Sequence, residues 1–323
     1  MLSLVDLHRL SGVVVDALTR SGCEQVQASL RQSAYQLAAI SLRTKRLLHR
    51  ALDALEQREV RPLILKGYGL AARYYPEPLS RPTSDVDLLI RPEETERAEE
   101  GLARLGLAPM SGPTRHFSIQ HHHHVTFSGS AGLVELHFRA LSDFGVHLEA
   151  DVLLQSAGET VVDGRTMRFA APEDELLYLA VHAAHHLCQR LVWLLDLKLL
   201  IRAVRDLSWE RLVTTADAAG VSTAAHFALR MAKDVMAAEV PAEVLRRLRP
   251  PAWQSAAVQK ALSPDQLIRG TAVGSLREEV LKKALLATGP LSGARYLQQI
   301  VARSLRRRTH RLLPGITPTW WAG

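Results

Sequence analysis

From Ser3 to about Arg58 apolar residues recur at steps of three and four, as in Leu30, Ala34, Leu37, Ala38 and then Leu47, Leu48, Leu52, Leu55. That period lines one face of a helix, so residues 1–58 are expected to be an N-terminal helical segment. The pattern breaks at Val60-Arg61-Pro62-Leu63-Ile64-Leu65, a short apolar run bounded by Pro62 and by Lys66-Gly67, which reads as a strand entering a glycine turn. Over residues 84–90 the period becomes two: Val86, Leu88 and Ile90 share one face, and Asp85, Asp87 and Leu89 the other. The first face is expected in the core; the second carries charge. Pro92 and Glu93 then suit the first turn of a helix whose far end is marked by Gly106.

Two further strands are expected over 122–128 and 132–140, joined through Gly129 and Gly132 and paired antiparallel. A second hairpin over 160–169 turns at Asp163-Gly164, a dipeptide that tolerates the positive φ angles of a tight turn. Beyond Pro172 the sequence Pro-Glu-Asp-Glu opens a helix with acids in its first turn, and helical periodicity continues to about Arg311. The expected fold class is α+β: N-terminal helices over 1–58, a core with a small mixed β-sheet over 59–171, and a helical C-terminal domain over 172–323 that ends in a basic tail.

A 323-residue chain with 47% apolar residues can bury such cores. No apolar run reaches the roughly 20 residues of a membrane span. Asp6 and Arg9 fall where a secretory leader would be apolar, so a cytoplasmic location is expected. Cys23 and Cys188 are far apart, which excludes a disulfide framework or a cysteine zinc site; both are expected to be buried small hydrophobes. The net charge of +7 would suit a nucleotide, a nucleic acid, an acidic peptide or an anionic membrane without choosing among them. Part of it is local, in Arg303, Arg306, Arg307, Arg308 and Arg311, which are either a solvated helix end or a binding surface. Aromatic residues are sparse and not interleaved with the basic ones, so nucleic acid is not the favoured partner.

The charged strand face carries the candidate chemistry. Two aspartates at i and i+2 of a strand point the same way, roughly 7 Å apart at their backbones, and can converge on a divalent cation. A bare Asp-x-Asp is common. It gains weight from Gly132–Arg139, where Val134, Leu136 and Phe138 take the apolar face and leave Glu135, His137 and Arg139 together on the polar one.

The stretch Leu65-Lys66-Gly67-Tyr68-Gly69-Leu70-Ala71-Ala72-Arg73-Tyr74-Tyr75-Pro76, followed by Arg81 and Ser84-Asp85-Val86-Asp87-Leu88-Leu89-Ile90, resembles the uncharacterised nucleotidyltransferase family of the polymerase-β-like superfamily. Val134-Glu135-Leu136-His137 and the later helix with His182, His185, Trp193 and Asp196 are similar to further motifs of that family, so the resemblance covers about residues 60–200. It implies a fold whose first turn holds a triphosphate while Mg2+ or Mn2+ bridges it to the acidic strands. Asp85 and Asp87 would be metal ligands, Glu135 would stand where the superfamily often has a third aspartate, and Lys66, Gly67, Arg81 and Ser84 would meet the nucleotide. Lys66-Gly67 replaces the superfamily's usual Gly-Ser pair, and Asp85 lies 18 positions after Gly67, farther than in most members. Both departures match the narrower family.

Alternatives stand beside these assignments. Gly67 and Gly69 open a helix after a strand, which favours an anion, or else allow close strand–helix packing. Lys66 and Arg81 either add charge to a phosphate or form salt bridges with nearby acids. On a strand His122 and His124 would share the open face with His137, while His121 and His123 would point away as a tolerated polar strand end. His182, His185 and His186 have metal-binding spacing on a helix but suit hydrogen-bonded packing on the sheet better. Arg190 and Asp196 either face the cleft or pair inside the helical domain. His122, His124, His137, Arg139, His182, His185 and Arg190 are thus candidates for substrate contact. The expected activity moves a nucleotidyl group from a nucleoside triphosphate to a hydroxyl or phosphate acceptor on a peptide or small metabolite. Kinase-type phosphoryl transfer is one alternative. A non-catalytic nucleotide-binding regulator or toxin–antitoxin component is the other, and the intact acids argue against it.

Overall fold

The structure, a computed structural model, describes residues 2–23, 26–110, 123–272 and 274–312. The N-terminal segment is helical as its period predicts, broken into α1 (Leu2–Leu7), α2 (Ser11–Arg20) and the long α3 (Ala28–Glu56). Strand β1 (Leu63–Ile64) leads through Gly67 into α4 (Tyr68–Tyr74). Strand β2 (Val86–Leu89) is followed by a 3-10 turn at Pro92–Glu94 and by α5 (Thr95–Ala103), beyond which Gly106 takes a φ of +72°. Then come β3 (Ala108–Pro109), β4 (His124–Gly129), β5 (Gly132–His137), β6 (Arg139–Asp143), β7 (Val146–Glu149), α6 (Ala150–Leu154), β8 (Gly158–Val162) and β9 (Arg165–Phe169). The C-terminal part runs from α7 (Pro172–His185) through α8 (Leu191–Ala203), α9 (Trp209–Ala218) and α10 (Ser222–Met236) to a last helix, Gly289–Leu312.

Seven strands form one mixed sheet in the order β3-β4-β5-β2-β1-β9-β8, with β2 parallel to β5 and β1 parallel to β9. The β4–β5 and β8–β9 hairpins are antiparallel as expected, and Asp163 and Gly164 have φ angles of 51° and 74° at the second turn. The predicted strand 132–140 is two strands. β5 ends at His137, and Arg139 begins β6, which pairs with β7 as a separate two-stranded ribbon that periodicity alone does not reveal.

One sheet face packs on α3 and α5, where Leu47, Leu48, Leu52 and Leu55 meet Val86, Leu88, Val134, Leu136 and Phe127. The opposite face is covered as well. Leu63, Leu65 and Leu89 join the core built by Leu177, Leu194, Leu197 and Phe227, so the core of the C-terminal helices continues across residue 172 into the sheet. The charged face of β2 is therefore not an open one: Asp87 is only 1% exposed. The acids opening α7 cross-link rather than cap, since Glu175 accepts both Arg73 and the Tyr74 hydroxyl, and Asp174 accepts Arg211. Cys188 is buried as expected; Cys23 is exposed because it follows the end of α2 at the surface.

The N-terminal helices brace the loop before β2. Ser41 Oγ donates to the Arg81 carbonyl (3.2 Å) and accepts from the Thr83 amide (3.0 Å), and Thr44 Oγ1 donates to the Thr83 carbonyl (3.1 Å). In α2, a Cβ on Gly12 would stand 2.3 Å from the Ser80 carbonyl oxygen. Gly12→Ala is expected to destabilise by about 1–3 kcal/mol through overpacking, despite a helix-propensity gain of about 1 kcal/mol. Urea unfolding checks this, and an unchanged or raised midpoint would contradict the docking of α2 on that loop.

Candidate active site

Register alone brings the acids together. Asp87 on β2 lies beside Glu135 on β5, which lies beside Thr126 on β4; one step along, Leu89, His137 and His124 form the next row. Side chains two apart on a strand share a face, so Asp87, Glu135, His137 and His124 all project towards the C-terminal helices. Asp85 precedes β2 on the same side, with its side chain 31% exposed.

Lys66, in the turn after β1, is drawn into this group. Its Nζ lies 2.7 Å from Asp87 Oδ1 and 3.7 Å from Asp85 Oδ2, so it takes the ion-pair alternative. Burial works against its charge, but Asp87 and then Asp85 hold its pKa above the usual lysine range. Gly67 follows with a φ of +74°, a conformation costly for other residues, and a Cβ there would meet Thr83 Cγ2 at 3.1 Å. Gly69 serves packing instead, since its Cβ would lie 2.8 Å from Phe169 Cε1 and 2.9 Å from Ile64 Cγ2.

His137 is 3% exposed, and its Nε2 lies 3.3 Å from Asp87 Oδ1 and 3.5 Å from Glu135 Oε2. Burial opposes its protonation, yet the hydrogen bonds to the two carboxylates outweigh it and raise its pKa. Burial likewise opposes the charge of Glu135, but the His137 hydrogen bond and the Lys66 charge hold its pKa down to about 2. Asp87 Oδ2 is buried with no hydrogen-bond partner. An acceptor oxygen left without a donor is expensive unless a cation takes it. Asp87, Glu135 and His137 each bring a ligand atom within 4.8 Å of the others, so the donor set fits a divalent cation.

Of these three, Glu135 and His137 line a cavity of about 380 Å³ between the sheet and α7–α8; Asp87 is buried and not part of its lining. Lys66, Asp85, Glu135 and His137 form its floor, Ser84 and Arg81 its rim on the β2 side, and Tyr178, His182, His185 and Arg190 its roof. Arg9 also reaches it, through a backbone φ of +56° that no period in the sequence signals. The later histidines pack as hydrogen-bonded and stacked rings: His185 Nδ1 pairs with Asp143 of β6, and His186 stacks on Trp193 with ring centres 4.8 Å apart. Burial, then the Lys66 charge, holds His182 well below the usual imidazole range, and burial takes His186 down to about 3. Burial and then Arg9 lower the pKa of Arg190, whose guanidinium lies 5.7 Å from the Trp193 ring centre.

Arg139 and Arg81 make other contacts than the sequence suggested. Arg139 belongs to β6, outside the cavity lining, with its Nε 3.3 Å from Glu149; the strand break at Phe138 ends the alternation that would have placed it beside His137. His122 lies outside the described residues, as do the side chains from Arg303 onward. Arg81 lines the cavity, but its Nε and Nη2 each lie 2.7 Å from the Asp196 carboxylate of α8, which also accepts the Tyr75 hydroxyl at 2.6 Å. His123, expected to point away, lines the cavity with His124 because it sits in a bend before β4 begins. Residues the sequence reading missed are Arg9, Tyr75, Asp143 and Tyr178, together with Ser41 and Thr44. Only Ser41 and Thr44 leave a trace, as polar residues interrupting the buried stripe of α3.

Acids gathered on a covered sheet face, within reach of a cation-rich cleft, are what charge neutralisation in nucleotidyl transfer demands. The protein is a nucleotidyltransferase. More particularly, the chain belongs to the family described as uncharacterised nucleotidyltransferase, whose family model matches residues 1–237. Comparison with curated proteins finds no match. Among solved structures, a crystal structure of ANT(2")-Ia in complex with adenylyl-2"-tobramycin is similar at 18% identity and a TM-score of 0.40, over 54% of this chain and 94% of that one. A solution structure of the antibiotic-resistance factor ANT(2'')-Ia is similar at 18% identity and a TM-score of 0.35, over 67% and 94%.

The Arg81–Asp196 pair is buried, with the two residues 5% and 2% exposed. Asp196→Asn is expected to cost about 3–5 kcal/mol by leaving the Arg81 guanidinium without its counter-charge. Replacing both partners, Arg81→Met with Asp196→Leu, is expected to cost less than the single change. Equilibrium denaturation of the two variants measures the difference, and equal losses would mean that the pair does not behave as a buried ion pair.

Proposed function

We propose that the cavity binds a nucleoside triphosphate together with Mg2+ or Mn2+ and transfers the nucleotidyl group to an acceptor hydroxyl or phosphate. The observation that carries this reading is the buried, unpartnered Oδ2 of Asp87, whose neighbours Glu135, in register on β5, and Asp85, just ahead of β2, both line the cavity. In this reading Asp85, Asp87 and Glu135 hold the divalent cation, which would neutralise phosphate charge and polarise the α-phosphoryl group. Lys66, already against the acids, and Arg9 and Arg190 across the cleft face the remaining phosphate oxygens. Ser84, exposed at the rim, and the Gly67 turn are the backbone side of the same pocket.

An acceptor oxygen attacks the α-phosphorus, the bond to the β-phosphate oxygen breaks, and pyrophosphate leaves while the acceptor proton is released. The protein's contribution is to align the partners and to present fixed charges in a site sheltered from water. His124, His137, His182 and His185 stand on the acceptor side of the cavity and are assigned to substrate contact, on a peptide or small metabolite. The arginine-rich end of the chain is a second candidate for the acceptor. Among the described residues no helix is long and apolar enough to cross a membrane. We place the reaction in the cytoplasm, where triphosphates and Mg2+ are plentiful.

Incubation with Mg2+ and each of the four triphosphates, following products by chromatography and mass, is expected to give pyrophosphate and a nucleotidylated product. Asp85→Asn and Asp87→Asn are each expected to lower this rate by at least about 100-fold, and a chelator to stop it. Release of a nucleoside diphosphate in its place would establish terminal phosphoryl transfer and overturn the nucleotidyl assignment.

A further inference from the structure

Beside the acids, on the β4 side of the cavity, three imidazoles meet. The ring centres of His123 and His124 lie 4.4 Å apart, those of His124 and His137 5.0 Å, and those of His123 and His137 5.6 Å. Each ring offers a nitrogen within 4.8 Å of the other two. In a tetrahedral site with metal–nitrogen bonds of about 2.0–2.1 Å, the nitrogens stand about 3.4 Å apart, so modest ring rotations would close the set. The fold assembles it deliberately. His124 pairs with His137 across β4 and β5, and the His123 carbonyl accepts the Phe138 amide at 3.0 Å, which holds the bend that turns His123 to the same side.

His137 supplies the second observation. It is 3% exposed, and its Nε2 faces Asp87 and Glu135. Its Nδ1 is buried without a hydrogen-bond partner, as is Nδ1 of His124. An imidazole whose one nitrogen faces a carboxylate while the other is left vacant has the arrangement found in metal-ligating histidines, where the carboxylate fixes tautomer and ring orientation. Three neutral imidazoles select borderline first-row divalent ions such as Zn2+ or Co2+ over Mg2+, which prefers oxygen.

We propose that His123, His124 and His137 form a second metal site for a divalent transition ion of the Zn2+ class, distinct from the carboxylate site and coupled to it through the ring of His137. Three protein ligands would leave a fourth position open, and all three histidines line the cavity. Because no nucleotide enters the test, the site stands or falls apart from the proposed reaction.

The test uses the full chain stripped of metal. Titration with Co2+ is expected to give visible d–d bands at one ion per chain without thiolate charge transfer, displaced by Zn2+ and insensitive to excess Mg2+. Zn2+ affinity, measured by competition with a chromophoric chelator, is expected to fall at least about 10–100-fold in His123→Asn, in His124→Asn and in His137→Asn. The first of these alters a half-buried position at a strand end and keeps the test open should the buried His137 variant not fold. Asp85→Asn and the double variant His121→Ala, His122→Ala are expected to bind Zn2+ as the unaltered chain does. Absence of Co2+ bands, full affinity in His123→Asn and His124→Asn, or loss of affinity in the His121, His122 double variant would each overturn the proposal, the last by marking a simple histidine run as the ligand.

Discussion

Carboxylates placed on a sheet face that helices then cover must be neutralised, and much of the structure follows from that requirement. Asp87 is almost fully buried beside Glu135 and near Asp85. Like charges in so dry a setting would be severely destabilising if left uncompensated. Lys66 and His137 supply part of the compensation, from the turn after β1 and from β5. One buried oxygen of Asp87 remains without a hydrogen-bond partner.

Around this centre, polar cross-links hold the covering helices in place. Arg81 with Tyr75 engages Asp196 of α8, and Arg73 with Tyr74 engages Glu175 of α7. Both links run from the segment between β1 and β2 to the helical half. From the opposite sheet face, Ser41 and Thr44 of α3 grip the loop that carries Arg81 and Thr83. The family match, residues 1–237, takes in all of these elements from the N-terminal helices through α10. It extends well beyond the motif-bearing stretch of residues 60–200 and includes the N-terminal helices.

Several features were legible in the chain because they depend on neighbours a few residues apart. The two-residue period placed Asp85 and Asp87 on one face and Glu135 with His137 on another, and register joined them. The Asp163-Gly164 turn, the Pro172 helix start and the stripe of α3 were equally local. Where a strand ends is less so. His137 and Arg139 have the same parity, but a break at Phe138 sends them to different sheets, and the bend before β4 brings His123 to the face that alternation denied it.

Sequence by itself therefore determined most of the elements and which side chains share a strand face, since side-chain direction within a strand follows from backbone geometry. Only the tertiary structure decided how the charges are spent. Arg81 and Lys66 were both candidate cations for a phosphate, yet one is committed to Asp196, 115 residues away, and the other to the acids of the site. Ion-pair choice depends on which helices cover the sheet and at what distance, and that is settled by long-range packing of apolar surfaces rather than by local sequence.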